Sequence, residues 1–257
     1  MYSFLRRPKY IVFTISVILL IVLMVNLGFW QLRRLDSRKA ANAQVTERTA
    51  AAVVPLQDLV PPDTEVGATG DVQWRNAKVT GRYDESQQVL VRNRSYNGIP
   101  GYHVLTPLVL ADGQAVVVNR GFVPLETSGT EPVVPPAPSG DVTVTGRVRS
   151  SQKRGHFGPR DPATGTLTEV VRADLTRLQQ QMPYHLVPVY LELESSQPAE
   201  SKGLTPIPLP ELDDGPHLSY AIQWFMFSVL AVVGWVLVVR KTAKGEPEVV
   251  SFQDPAS

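Results

Sequence analysis

The chain has 257 residues, a formal net charge of +1 and no cysteine. That length suffices for one sizeable domain with accessory segments. The near-neutral balance argues against a nucleic-acid partner, and the missing thiols exclude disulfides, a thiolate metal site and a thiol nucleophile.

The first predicted element is Tyr10 to Trp30, a run without a charged residue. As a helix it would be about 31–33 Å long, enough for a hydrocarbon core of about 30 Å. An isolated run in lipid has to satisfy its own backbone hydrogen bonds, which makes it a helix. A cleaved signal peptide is the rival. The run is too long for the usual apolar core, however, and it ends in Gly28-Phe29-Trp30-Gln31-Leu32-Arg33 without a small-x-small cleavage pattern. We therefore expect an uncleaved anchor.

Residues 31–50 are basic and Ala-rich and extend that helix into water, with Pro55 and Pro61-Pro62 ending the stretch. From Val72 the pattern changes to short β-type runs: Val72–Tyr83, Gln88–Arg94, Tyr102–Leu110, Gln114–Asn119 and Val142–Val148. Ala111-Asp112-Gly113 between two of them is a hairpin signal. Residues 126–140, rich in Pro, Gly, Ser and Thr, read as a loop that need not be ordered. Asp174 is placed to cap a short helix that Pro183 stops, and Val187–Glu194 reads as the last strand. The architecture expected is one antiparallel sheet or partly closed barrel.

Leu218 to Val239 is a second uncharged run of membrane-spanning length. Arg240, Lys241 and Lys244 follow it, which places the C-terminus in the cytoplasm. Two spans return the N-terminus to the same side. Arg6, Arg7 and Lys9 agree, and with the C-terminal charges they outnumber Arg33, Arg34, Arg38 and Lys39, which argue the other way. The expected layout is a cytoplasmic segment 1–9, helix 10–30, an extracytoplasmic β-rich domain 31–217, helix 218–239 and a cytoplasmic tail 240–257. This is an α+β membrane protein. The short segment ahead of the first helix leaves no room for a transit peptide, so a bacterial plasma membrane is the expected location.

Motifs for chemistry are sparse. His103, His156, His185 and His217 do not share a zinc-binding spacing, and no nucleophile elbow, P-loop or dinucleotide fingerprint is present. Arg92, Arg94 and Arg120 lie near strand ends, either as a basic patch or as ordinary surface arginines. His217 opens the second helix and shares a face with Tyr220 and Trp224 at i, i+3 and i+7. Two readings stand: an axial haem ligand above aromatic rings, or the polar edge of an interfacial aromatic belt. Ser219 and Gln223 lie on the opposite face, and Asn26 sits at a similar depth in the first helix. A hydrogen bond from Asn26 to Gln223 is expected to clamp the two helices.

Four stretches, in order, resemble the surfeit-locus-one family of cytochrome c oxidase assembly factors. They are Leu27–Leu35 (LGFWQLRRL), Gly98–Leu108 (GIPGYHVLTPL), Val118–Pro124 (VNRGFVP) and His217–Phe225 (HLSYAIQWF). The segment before the short helix lacks a tryptophan that many relatives carry. The resemblance implies a non-catalytic role in maturation of the haem-copper oxidase, through delivery or insertion of haem a. It implies His217 as the haem ligand, with Tyr220 and Trp224 beside the ring. Arg33 and Arg34 then meet either a propionate or lipid phosphates. Oxidase subunits or other assembly factors become the expected partners, met through a Gly98–Pro107 loop with Gly101, Tyr102, His103 and Arg120. The alternative is a structural adaptor on the oxidase or respiratory supercomplex that never binds haem.

Overall fold

The computed structural model describes residues 3–61, 64–125, 132–155 and 158–245. Two long helices at the ends of the chain flank a mixed β-sheet domain with a short helix. The chain divides into two units, residues 1–43 with 211–257, and residues 44–210.

The first unit holds most of α1 (Pro8–Ala50) and all of α4 (His217–Ala243). Both are long and apolar enough to cross a membrane. Their large apolar side chains, such as Leu19, Leu23, Leu230 and Val233, are exposed in the protein itself, as lipid-facing groups must be. A row of covered residues runs along α1 through Thr14, Val17, Ile21, Met24, Gly28, Gln31 and Leu35. They alternate by three and four, the period of a coiled-coil seam. On α4 the matching row is His217, Ala221, Trp224, Ser228, Ala231 and Trp235. Gly28 sits where a Cβ would lie 2.7 Å from the Phe225 ring, and Ala221 is almost fully buried. Such small residues make room for a large side chain of the neighbouring helix, and in lipid, where no hydrophobic force drives association, that packing is what joins helices.

This seam overturns the expected clamp. Asn26 lies two residues from the seam positions Met24 and Gly28, about 200° round the helix, and Gln223 lies about 100° from Trp224; both are exposed. Asn26 donates instead to Val22 O in its own helix at 2.8 Å, and Ser219 is also exposed. Polar contacts across the seam include His217 with Gln31 and Trp235 Nε1–H to Thr14 Oγ1 at 3.2 Å.

The second unit is built from β1 (Val54–Pro55), α2 (Leu56–Leu59), β2 (Asn76–Tyr83), β3 (Val89–Tyr96), β4 (Ile99–Leu110), β5 (Ala115–Pro124), β6 (Val142–Ser150), β7 (Glu169–Val170), α3 (Leu175–Gln179) and β8 (Leu186–Gln197). Strands pair in the order β2-β6-β8-β5-β4, and Gly81–Tyr83 of β2 returns to Leu108–Leu110 of β4. That closes a five-stranded barrel. Five strands in a ring cannot all be antiparallel to both neighbours, and β5 and β8 form the parallel pair. β1 and β7 add short parallel pairings at the edges. The sheet is therefore mixed, whereas the local strand signals suggested an antiparallel one.

Alternation along the strands sorts the apolar side chains into two cores. Ala77, Leu108, Val116, Val118, Val144, Val189 and Leu191 fill the barrel, with Leu56 and Val60 packed against them. Val89, Val91, Leu105, Val117 and Tyr190 lie on the other face, covered by Val170, Leu175 and Leu178. Two local expectations match: Gly113 turns the β4–β5 hairpin at φ +83°, and the Asp174 carboxylate caps α3 by accepting from Arg177 N–H. Of the Pro-rich loop, residues 126–131 lie outside the described residues, as does His156. Pro135 and Pro136 are held through their carbonyls by Arg120 and Ser201.

Candidate functional site

The site is built at the start of α4. Asp213-Asp214-Gly215-Pro216 forms the turn into the helix: Gly215 has φ +73° and donates its N–H to Asp213 Oδ1 at 2.8 Å. Asn42 of α1 donates to Asp214 Oδ1 at 3.1 Å. His217 follows as the first helical residue, half-buried on the seam. Its Nδ1 lies 2.8 Å from Gln31 Oε1. An amide oxygen only accepts, so Nδ1–H is the donor. Nε2 has no hydrogen bond among the described residues. A Cβ on Gly215 would lie 3.5 Å from Nε2, and the glycine keeps that edge of the ring uncrowded by a side chain.

Tyr220 is 47% exposed on the flank of the seam. Trp224 is half-buried one helical step further and meets Phe227 edge-on, with ring centroids 6.2 Å apart. Phe29 and Phe225 pack edge-to-face across the helices at 5.4 Å. Arg33 and Arg34 both lie on the exposed side of α1, off the seam.

The expected partner-contact residues separate. The Gly98–Pro107 segment is not a loop: Gly98 ends the tight turn after β3, and residues 99–107 belong to β4. Gly101 is buried, and a Cβ there would strike the Val123 carbonyl. Arg120 shares the parity of Val116 and Val118, and its side chain is 0% exposed. It donates to Glu200 Oε2 at 2.8 Å, to Pro135 O at 3.2 Å and to Gln88 Oε1 at 3.4 Å. The Tyr83 ring lies 5.5 Å away. A residue so enclosed is an internal strut rather than a docking group. Tyr102 and His103 remain partly exposed. His103 Nδ1 sits 3.3 Å from Asn119 Nδ2, and burial, with the neighbouring Arg94 charge, pushes its imidazole down to about 4.

The SURF1 family model matches residues 18–229, which takes in most of α1, the whole barrel and the first half of α4. The chain belongs to the SURF1 family. Uncharacterized SURF1-like proteins of Mycobacterium bovis and Mycobacterium tuberculosis are 32% identical over 234 residues, covering 90% of this chain and 84% of theirs. Surfeit locus protein 1 of Xenopus tropicalis is 24% identical over 244 residues, covering 88% and 76%. All four stretches of the resemblance fall within the matched residues. In this SURF1-family chain they occupy the middle of α1, the β3–β4 hairpin with β4, β5, and the first turns of α4.

Two features of this family member escaped the sequence reading. Gln31 was visible only as the polar residue after Trp30; its contact with His217 joins residues 186 apart in the chain. A second polar cluster lies on the barrel wall. Glu192 faces Arg147 at 3.7 Å and Arg149 at 3.5 Å, and the Arg149 guanidinium stacks 3.5 Å over Trp74. Arg147 also donates to Ile207 O at 2.6 Å. Burial holds the Glu192 carboxyl above its ordinary range despite the two arginines. Arginines at alternate positions of Gly146-Arg147-Val148-Arg149, and an acid in Tyr190-Leu191-Glu192, were the available signals.

Proposed function

We propose that this chain is a non-catalytic assembly factor for a haem-copper terminal oxidase, seated in a bacterial plasma membrane with both termini in the cytoplasm. Its cargo in this reading is haem a, which it delivers to or helps insert into the large oxidase subunit. Oxidase subunits or other assembly factors are its partners, within the lipid bilayer. Family membership and the basic residues at the end of α4 support the setting.

One observation carries the cargo reading: His217 offers a free Nε2 beside a glycine that leaves space next to it. A neutral imidazole with its other nitrogen hydrogen-bonded is a competent axial ligand, so the donor set fits an iron porphyrin. Bound there, the haem would supply an iron centre for the imidazole and an apolar ring for aromatic side chains. Tyr220 and Trp224 would pack beside it from the same helix. Arg33 and Arg34 are near enough in sequence to Gln31 to meet anionic groups, either propionates or lipid phosphates.

Purification of the full chain from cells that make haem a tests the reading. A Soret band that disappears in His217→Ala supports it. Pigment-free wild-type protein that co-purifies stably with oxidase subunits would overturn the cargo role and leave a structural adaptor.

A further inference from the structure

The contact between the helices does more than hold them together. Gln31 occupies a seam position of α1, and His217 the opening seam position of α4. The 2.8 Å approach is between Nδ1 and an amide oxygen. That oxygen has lone pairs and no proton, so the bond exists only when Nδ1 carries the hydrogen. In a neutral imidazole the other nitrogen is then bare. A histidine in water prefers the opposite arrangement, with its proton on Nε2. The partner of one ring nitrogen sets the tautomer and orientation of the other, a control well known around metal-bound histidines.

We infer that Gln31 is a positioning residue that locks His217 in the Nδ1–H tautomer, leaving Nε2 as its single ligating nitrogen. The lock spans two helices, so a ready Nε2 requires α1 and α4 to be paired. Gly215 complements it: the φ of +73° disfavours any side chain there, and a Cβ would stand 3.5 Å from the bare nitrogen. Gln31 itself touches no cargo; it acts through the ring. The purpose of the lock rests on the haem reading above, but the tautomer does not.

The test uses the haem-free full chain in detergent micelles with ¹⁵N-labelled histidine. Long-range proton–nitrogen spectra should show His217 protonated at Nδ1 and bare at Nε2. Gln31→Met keeps the length of the side chain but removes the acceptor, and should move the proton to Nε2. Gln31→Glu keeps an acceptor oxygen and should retain Nδ1–H. Haemin titrated into the same samples should bind roughly tenfold or more weakly to Gln31→Met than to wild type, the usual cost of losing such a support. A wild-type spectrum with the proton on Nε2 would overturn the inference without any variant. An unchanged tautomer in folded Gln31→Met would also overturn it. Wild type with the expected tautomer but no haemin binding would overturn the ligand reading alone.

Discussion

Replacement of Arg120 by Met removes the buried strut to Glu200 and Pro135 while keeping most of its volume. The guanidinium is 0% exposed and reaches Glu200 Oε2 at 2.8 and 3.1 Å, so the pair is shielded from water. The Glu200 side chain is itself only 16% exposed and would be left with an uncompensated charge. Breaking a buried pair from one side costs about 3–5 kcal/mol. At about 2–4 °C per kcal/mol for a domain of this size, the melting temperature should fall by about 6–20 °C. Thermal melts of the full chain in micelles, followed by near-ultraviolet circular dichroism, measure this. The double variant Arg120→Met/Glu200→Leu removes both charges and should recover much of the loss, because the penalty belongs to the stranded carboxylate. A single-variant loss under about 1 kcal/mol, the range of exposed pairs, would refute the view of Arg120 as a buried strut.

His103 gives the barrel a pH dependence of known sign. Its folded value of about 4 lies below the ordinary 6.5, so the unfolded chain binds the proton more readily. The stability it contributes is complete above about pH 6.5 and is lost as pH falls toward 4, by about 1–3 kcal/mol for a partly exposed ring. Denaturation profiles of His103→Gln should be flatter than wild type across that window; parallel profiles would count against it. Gly28→Leu should force the helices apart, since even a Cβ would lie 2.7 Å from Phe225, at an overpacking cost of about 1–3 kcal/mol. Spin labels at the exposed positions Leu19 and Val233 of this cysteine-free chain report it. An unchanged distance distribution would show that the seam does not depend on that glycine.

The two long helices, the Asp112-Gly113 hairpin and the Asp174 cap were legible in the sequence. Each depends on neighbours a few residues away, or on one-dimensional hydropathy and length. His217 was legible as a candidate, but its state was not, because Gln31 comes from the other end of the chain. The helix faces were misjudged for the same reason. Polarity singled out Asn26 and Gln223, while the packing of the Phe225 ring on Gly28 and the burial of Ala221 mark the faces that meet, and an intrahelical carbonyl satisfied Asn26. Arg120 looked like a surface arginine, but the segments carrying Pro135 and Glu200 fold over it.

The sequence by itself determined the two long helices, the main strands and the Asp112-Gly113 turn, since short-range sterics and apolar periodicity act along the chain. Only the tertiary structure decided which faces meet, which strand pair runs parallel and which nitrogen of His217 is free. Those outcomes depend on distances between residues far apart in sequence, which local pattern does not encode.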